Sequence, residues 1–315
     1  MSREDLINTT RAILAKAGFE ISSSLYLRSI CFDIVGRKED TLLIIKVLSN
    51  VDAFSRENAE DMKVLADVLR ATPLLVGETS SSGPLEAGIV YSRFKIHIVS
   101  NETLAEHLLE DVPPFVFAAP GGLYVKIDSD LLRTLRENSG ISLGTLAETA
   151  GVSRRTIQMY ESGMGAMIDA ATRLEDFLKV PIIEPIDPFE YKSEKKPEEY
   201  EVTGSNRIES KALNRLLEIG FAITPVTKSP FEAITRSRQT IFLTSLGIDE
   251  DKLFQKAMIA SEISKIAGKH SLIIVERERA AENIDSTAVV TSEELKKIDD
   301  QDVLTDLVLS RSTKK

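Results

Sequence analysis

The amino-acid sequence predicts two α/β domains with a small all-α domain between them. Its 315 residues are about twice the length of a typical single domain, so two or three domains are expected. Strand and helix patterns alternate near both ends of the chain, whereas residues 128–180 show short helical segments without a strand pattern. The C-terminal part also repeats the N-terminal part.

In the N-terminal domain, residues 1–112, apolar spacing predicts helices and Val- and Ile-rich runs predict strands. Gly18 is the expected C-cap of the first helix, and Pro73 lies just beyond the second. The predicted elements are a helix over 4–17, strands over 29–35 and 41–48, a helix over 55–69, strands over 74–76 and 95–99, and a helix over 103–109.

Three further boundaries follow from composition. Prolines and glycines interrupt the pattern over residues 113–127, which are expected to connect the first domain to an all-α domain over 128–185. Residues 186–207 are charged and poor in aliphatic side chains, which is typical of a solvated linker. The last domain covers 208–315.

The internal repeat supports this division. The peptide FDIVGR at residues 32–37 matches FEAITR at 231–236, and TLLIIKV at 41–47 matches TIFLTSL at 240–246, with one constant offset. The helix with its exit at 11–19 matches residues 213–221. The last domain is therefore interpreted as a repeat of the first.

Composition limits the function. The formal charge of −10 argues against a general electrostatic attraction to nucleic acid or anionic lipid, although a small basic surface remains compatible with it. One Cys cannot form an intrachain disulfide, and no apolar run reaches the roughly 20 residues of a membrane helix. A cytoplasmic protein without a membrane partner is expected.

Residues 143–162 meet the steric requirements of a helix-turn-helix. Ala147 is small where the two helices cross, and Gly151 suits the positive φ of the tight turn. Leu146, Val152, Ile157 and Tyr160 are spaced to bury the inner face, and Ser153 can cap the second helix.

The outer face of that helix, predicted over 153–162, carries side chains suited to the major groove. Arginine can pair with guanine, glutamine with adenine, and methionine can touch a thymine methyl group. We expect base or phosphate contacts from Ser153, Arg154, Arg155, Gln158 and Met159, with Ser162 on the same face.

This segment resembles the phage-repressor (Cro/cI) type of helix-turn-helix, which implies a five-helix DNA-binding domain. Members of that family often begin the first helix of the motif with a Gln that contacts phosphate, and this position is Leu143 here. The motif comprises Leu143, Gly144, Thr145, Leu146, Ala147, Glu148, Thr149, Ala150, Gly151, Val152, Ser153, Arg154, Arg155, Thr156, Ile157, Gln158, Met159, Tyr160, Glu161 and Ser162.

Charge keeps an alternative open, in which the helical domain is a protein-interaction adaptor. Residues 128–190 contain six basic and eleven acidic side chains. DNA contact must therefore depend on Arg154 and Arg155 rather than on a broad positive face.

The order of elements in the first domain resembles the PD-(D/E)xK restriction-endonuclease-like fold. Metal-dependent cleavage in that fold needs an acid, a second acid about ten residues later, and a Lys two positions beyond it. Asp33 and Lys46 match this pattern, but Ile44 occupies the second acid position. In the repeat the positions hold Glu232, Leu243 and Ser245, so both α/β domains are interpreted as degenerate.

Other sites are not indicated. His97, His107 and His270 lie far apart without Cys or clustered carboxylates, so no metal site is expected. No phosphate-binding glycine motif occurs, so no cofactor is expected, and Cys31 is predicted to be buried rather than nucleophilic.

The full pattern resembles a family of archaeal transcriptional regulators in which a Cro/cI-type helix-turn-helix follows an α/β domain. The resemblance lies in APGGLYVKID and the motif that follows, through PFEYK at residues 188–192. It implies a non-enzymatic regulator that binds double-stranded DNA, and a homodimer reading a palindromic site is expected. A Mg²⁺-dependent nuclease using Asp33 and Lys46 remains the alternative from the enzyme class. No effector, operator or regulated gene is indicated.

Overall fold

The structure is a computed structural model that describes residues 2–23, 30–202, 210–238, 240–247, 250–276 and 280–312. It divides into two compact units. The first comprises residues 1–13, 48–53 and 74–190, and the second comprises 14–47, 54–73 and 191–315. Ser29, where the first strand was predicted to begin, and residues 203–209, where the linker was predicted to end, lie outside the described residues.

The described residues form eleven helices, and none of them is long and apolar enough to cross a membrane. They are α1 (Arg3–Lys16), α2 (Arg56–Leu69), α3 (Asn101–Leu109), α4 (Ser129–Asn138), α5 (Leu143–Ala150), α6 (Arg154–Tyr160), α7 (Ile168–Leu178), α8 (Lys211–Glu218), α9 (Glu250–Ala267), α10 (Ser292–Lys296) and α11 (Gln301–Ser312). Short 3₁₀ helices cover Val51–Ala53 and Pro197–Tyr200.

The strands form two sheets. They are β1 (Glu20–Ile21), β2 (Ile34–Lys38), β3 (Thr41–Asn50), β4 (Thr72–Ser80), β5 (Gly83–Pro84), β6 (Ile89–Arg93), β7 (Ile96–Val99), β8 (Val116–Ala119), β9 (Gly122–Ile127), β10 (Ala166–Met167), β11 (Ile183–Glu184), β12 (Ala222–Pro225), β13 (Ala233–Arg236), β14 (Ile241–Gly247), β15 (His270–Val275), β16 (Asn283–Ile284) and β17 (Thr287–Thr291). The strand predicted over 29–35 begins only at Ile34.

The two sheets share one strand order. The first runs β1-β2-β3-β4-β7-β6 before it continues into β8, β9 and β10, and the second runs β12-β13-β14-β15-β17-β16. In both, an antiparallel hairpin precedes a long helix, and the next strand pairs in parallel with one strand of a second hairpin. Over these six strands the two sheets therefore have the same order and the same strand directions.

Equivalent hydrogen bonds link the acid of each hairpin to the backbone. The N–H of Val47 donates to Oδ2 of Asp33 at 2.8 Å, and the N–H of Leu246 donates to Oε2 of Glu232 at 2.8 Å. The N–H groups of the two acids in turn donate to the carbonyls of Ile45 and Thr244. Each residue of the first hairpin and its counterpart in the second are separated by the same sequence offset, so the hydrogen bonds of the two hairpins are equivalent.

Within the second unit, each repeat contacts the long helix of the other. The hydroxyl and N–H of Ser23 donate to the carboxylate of Glu262 on α9 at 2.5 and 2.6 Å. In the opposite direction, Thr227 donates to Asp61 on α2 at 2.7 Å, and Lys228 pairs with Glu57 at 2.8 Å. These reciprocal contacts are those expected of a two-fold arrangement of repeats.

The helical domain differs from the predicted five-helix bundle. Residues 128–185, all of which the structure describes, contain four helices, α4 to α7. After α7 the chain forms β11, which pairs with β9, and β10 precedes α7 and also pairs with β9. After α7 the chain thus closes the domain with a short strand rather than with a further helix.

Residues 113–127 form part of a sheet rather than a free connector. Strands β8 and β9 make an antiparallel hairpin, and β8 pairs in parallel with β6. A Cβ on Gly165 would lie 2.6 Å from the ring of Phe117, so a larger residue would require the ring to move where the hairpin meets the helical domain. Within the first unit, the helices are therefore fixed to the sheet by paired strands.

Part of the segment that reads as a solvated linker packs against a helix. The hydroxyl of Tyr200 donates to the buried Asp67 of α2 at 2.6 Å, and the N–H of Val202 donates to the carbonyl of Ile223. The charged composition of residues 186–207 does not reveal this packing, because it depends on Tyr200 and on an acid that is distant in sequence.

An ion pair between the buried Arg311 and the partly exposed Glu294 should make the stability of the C-terminal domain depend on pH. Arg311 holds Glu294 at 2.6 Å, and this pairing lowers the pKa of Glu294 to about 2. Because the pKa is lower in the folded state, the stabilisation is complete above about pH 4.5 and is lost as the pH falls towards about 2. Since the Glu294 side chain is 39% exposed, we expect only on the order of 1 kcal/mol.

Chemical denaturation of wild type and Glu294→Gln at about pH 6 and about pH 3 measures this effect. The variant should be less stable at the higher pH, and the difference should shrink by about half or more at the lower pH. Glu293→Gln is the matched control, since Glu293 is exposed beside Lys296 and should change little. A difference that stays constant with pH would contradict the assignment.

Candidate nucleic-acid interface

The turn between α5 and α6 has the geometry that its sequence predicts. Gly151 ends α5 with φ 71° and ψ 32°, the left-handed conformation for which glycine is favoured, and its N–H donates to the carbonyl of Ala147. Ser153 caps α6 by accepting from the N–H of Thr156 at 3.1 Å. Both predictions are confirmed.

The motif residues separate into an inner and an outer set. The buried residues are Leu146, Ala147, Ala150, Ile157, Tyr160 and Glu161. The half-buried residues are Leu143, Gly144, Thr149, Val152 and Thr156. The exposed residues are Thr145, Glu148, Gly151, Ser153, Arg154, Arg155, Gln158, Met159 and Ser162.

The inner set belongs to one core. Leu146 and Ile157 are fully buried, and they pack with Leu132 of α4 and Leu174 of α7. Val152, predicted to be inward, is only partly buried at the edge of this core. Because the inner set is buried in this core, the opposite face of α6 is exposed to solvent.

The outer set forms a continuous exposed surface on α6. All five predicted contact residues are exposed, including Met159, whose exposure of 44% is high for an apolar side chain. Helix α6 ends at Tyr160 rather than at Ser162. The hydroxyl of Ser162 nevertheless donates to the carbonyl of Gln158 at 2.7 Å, so Ser162 lies beside the end of α6.

The C-terminal end of α6 is held by two arginines of α4 that the sequence did not single out. Arg136 donates to both carboxylate oxygens of Glu161, at 2.5 and 3.2 Å, and Arg133 donates to the Glu161 carbonyl at 2.5 Å. Glu161 is only 6% exposed, and this hydrogen bond raises the pKa of Arg136. Ser129 also donates to the carbonyl of Tyr160 at 2.5 Å.

Three arginines of the helical domain are engaged by contacts within the domain. Arg133 and Arg136 are engaged by Glu161, and Arg173 donates to the carbonyl of Ala150. Among the described residues, no carboxylate pairs with Arg154 or Arg155. The unpaired cations of the motif therefore lie on the exposed face of α6.

Asp33 and Lys46 lie together in the second unit. Lys46 Nζ is 3.3 Å from Asp33 Oδ1 and donates to the carbonyl of Ile30 at 2.8 Å, while the other carboxylate oxygen accepts from Val47. Ile44 is buried, and the described residues hold no group of three metal-ligating side chains. The geometry is that of an internally satisfied pair at the end of a strand.

Cys31 has no features of a nucleophile. Its side chain is completely buried, and burial raises the pKa of the thiol to about 12. The thiol therefore stays protonated at neutral pH.

Comparison with known proteins agrees with these features. Residues 3–114 match the PD-(D/E)XK superfamily domain, and residues 132–184 match the helix-turn-helix family. No solved structure matches the chain.

Full-length relatives occur in archaea under the name "Putative HTH-type transcriptional regulatory protein". The relative from Methanocella arvoryzae is 41% identical over 100% of this chain and 98% of its own length. Relatives from Methanosarcina barkeri and Halobacterium salinarum are 36% and 35% identical, each over 99% of this chain and 98% of their own lengths. The chain belongs to this archaeal family of HTH-type transcriptional regulatory proteins.

Proposed function

We propose that this protein regulates transcription by binding specific DNA sequences, with α6 in the major groove. The observation that carries the proposal is the exposed face of α6, which holds two unpaired arginines, a glutamine and a methionine on a helix whose other face is buried. A helix presented in this way fits the width of the major groove.

Each outward side chain has a partner in that groove. Arg155 is suited to the O6 and N7 acceptors of guanine, and Gln158 to the N6 and N7 of adenine. Met159 can contact a thymine methyl group, and the exposed hydroxyl of Ser153 can donate to a phosphate. One good bidentate pair supplies about 1–3 kcal/mol of discrimination between bases.

The negative charge of the protein predicts which contacts contribute to its affinity for DNA. The formal charge is −10, and acidic residues outnumber basic ones in residues 128–190. Non-specific attraction to the phosphate backbone should therefore be weak. We propose that a homodimer compensates by setting two copies of α6 one helical turn apart on a palindromic site.

Selection of genomic DNA fragments by the purified full-length protein tests this proposal. It should yield one consensus with two inverted half-sites, about 10 base pairs from centre to centre. Retention of all fragments equally would contradict sequence-specific binding. Specific binding that weakens steeply with salt would also separate DNA recognition from the role of a protein adaptor.

The PD-(D/E)XK match supports a second candidate, a Mg²⁺-dependent nuclease that uses Asp33 and Lys46. Against it stand Ile44 at the second acid position and the engagement of both Asp33 oxygens. Incubation of the protein with plasmid DNA and Mg²⁺ or Mn²⁺ distinguishes the nuclease from a regulator without nuclease activity. Cleavage by wild type that is absent from Asp33→Ala would establish the nuclease.

For the whole chain we propose the three-domain division that the sequence predicts, with residues 208–315 as a repeat of 1–112. The common strand order and the matching hydrogen bonds of Asp33 and Glu232 support the repeat. In this arrangement the α/β domains serve dimerisation or ligand sensing rather than cleavage.

A further inference from the structure

The C-terminal ends of α2 and α9 have the same backbone geometry. After α2 the N–H of Ala71 donates to the carbonyl five residues earlier, and after α9 the N–H of Lys269 does the same. The residue before each donor is in the left-handed conformation, Arg70 with φ 56° and Gly268 with φ 64°. A strand begins directly after each donor. Arg70 and Gly268 therefore occupy equivalent positions of the two helix ends.

Glycine is favoured at this position, and Arg70 departs from that preference. In the left-handed conformation a Cβ lies too close to the following carbonyl oxygen, so arginine is strained there and glycine is not. Arg70 is exposed, and no carboxylate of the described residues pairs with it. Neither the backbone nor an ion pair within the described residues accounts for an arginine here.

Two further cations lie at the same helix ends. Nη1 of Arg37, on β2, is 3.5 Å from the carbonyl oxygen of Ile266 in the last turn of α9. It would be only 2.7 Å from a Cβ placed on Gly268, so the guanidinium lies directly beside the end of α9. Burial lowers the pKa of Lys269, and the charges of Arg37 and Arg70 lower it further. Arg37, Arg70 and Lys269 thus form one group of like charges, the basic cluster.

The helix ends attract cations, but they compensate only part of this charge. A helix C-terminus carries about half an elementary negative charge, so the ends of α2 and α9 together offset about one of the three positive charges. No carboxylate of the described residues pairs with a member of the basic cluster. About two positive charges therefore remain uncompensated, in a chain whose formal charge is −10. Such an excess on an acidic protein indicates an anionic partner.

The basic cluster forms a surface that is separate from the pair of Asp33 and Lys46. Arg37 pairs with Leu42 next to the turn of the β2–β3 hairpin, whereas Asp33 precedes β2 at the open end of the hairpin. Arg70 is exposed, and the other two members are half-buried. Guanidinium and ammonium groups presented in this way bind phosphate oxygens of any nucleotide sequence.

We propose that the basic cluster binds phosphates of the DNA backbone, in addition to the contacts of α6. These contacts contribute affinity without sequence preference, because phosphates do not distinguish bases. The inference goes beyond the proposed function of α6, since it applies to DNA of any sequence. It gives the second unit a part in DNA binding that needs neither a metal ion nor cleavage.

Exchange of residues between the two helix ends provides the test variant. Arg70→Gly introduces the residue that α9 has at this position, and Lys269→Ala introduces the residue that follows it after α2. The double variant should fold as wild type does, because both helix ends already exist in the protein and Arg70→Gly removes a strained side chain. Thermal denaturation of both proteins checks this.

The affinity for a DNA fragment of random sequence is then measured over a series of salt concentrations. Loss of two phosphate contacts should lower the magnitude of the slope of log K against log salt by about 1.8 per chain. Between about 50 and 200 mM salt, the exchange variant should thus lose about 12-fold less affinity per chain than wild type loses. The order of preference among selected fragments should stay the same, because every fragment loses the same contacts.

Lys211→Ala, Lys297→Ala is the matched control, since both lysines are exposed outside the basic cluster and the net charge changes equally. An equal fall of the slope in the control, or an unchanged slope in the exchange variant, would overturn the proposal. Unchanged DNA affinity with a loss of thermal stabilisation by inorganic pyrophosphate would assign the cluster to a small anion and overturn it as well.

The same measurements separate this inference from the proposed function. If wild type selects no consensus but the exchange variant has the lower slope, then sequence reading by α6 fails and the inference stands. If wild type selects a consensus and the exchange variant keeps the wild-type slope, the inference is wrong and the proposed function stands.

Discussion

Replacing both Arg154 and Arg155 with alanine is expected to lower the affinity for a selected DNA fragment by about 100-fold or more. The variant loses two positive charges and the proposed bidentate base contact of Arg155 in each copy of α6, and one such base contact alone is worth about 1–3 kcal/mol. Both arginines are exposed and unpaired among the described residues, so their removal should leave the fold unchanged. Titration of labelled fragment at fixed salt measures the loss.

The matched control removes two positive charges elsewhere. Lys16 and Arg238 are exposed, and neither lies in the helical domain. A Lys16→Ala, Arg238→Ala variant has the same net charge as the test variant, so a general electrostatic effect would weaken both equally. Similar affinities for the two variants would contradict a specific role of α6.

Glu161→Ala is expected to destabilise the helical domain by about 3 kcal/mol. The substitution leaves Arg136, whose side chain is only 16% exposed, without its bidentate partner. Removal of one member of a buried ion pair costs about 3–5 kcal/mol, and the partial exposure of Arg136 places the expectation at the lower end. Hydrogen exchange of the amides in residues 154–162 of the full chain measures the local opening.

Two variants accompany this measurement. Glu161→Gln keeps the size and one acceptor, so it should lose less protection than Glu161→Ala. Glu148→Ala removes an exposed acid of α5 and should leave exchange unchanged. If Glu161→Ala exchanged as slowly as Glu148→Ala, the ion pair would not hold α6.

Local requirements made the motif predictable from sequence. The positive φ of Gly151 and the cap of Ser153 each depend on neighbours within about one turn. The burial of Ile157 depends on packing with α4 and α7, but the spacing of apolar residues already marks it as inward. The inner face then determined which residues of α6 are exposed. The prediction extended the helix to Ser162, whereas α6 ends at Tyr160 and the chain turns away at Gly163, which has a φ of 96°.

Contacts between distant segments were not predictable in this way. The pairing of Arg136 with Glu161 joins α4 to the end of α6, and nothing in the spacing of two common charged residues marks it. The approach of Arg37 to the end of α9 was missed for the same reason. Strands β10 and β11 are two residues each, too short for a periodic pattern.

The α/β domains show how far a degenerate motif can be interpreted. The spacing of matching peptides predicted a repeat, and six strands of each sheet have the same order. The departure at Ile44 predicted an incomplete metal site, and Asp33 is engaged by Lys46 and by a backbone N–H. What these domains bind is not encoded in a local pattern, because it depends on surfaces assembled from distant residues.

Parallel selection of genomic fragments with wild type and Gln158→Ala tests most directly whether α6 reads DNA sequence. Gln158 is exposed on α6, so the variant should fold as wild type does. Wild type should yield two inverted half-sites, and Gln158→Ala should lose the base preference at one position of each half-site while the other positions stay unchanged. Identical consensus sequences for the two proteins, or no consensus for wild type, would contradict sequence reading by this helix.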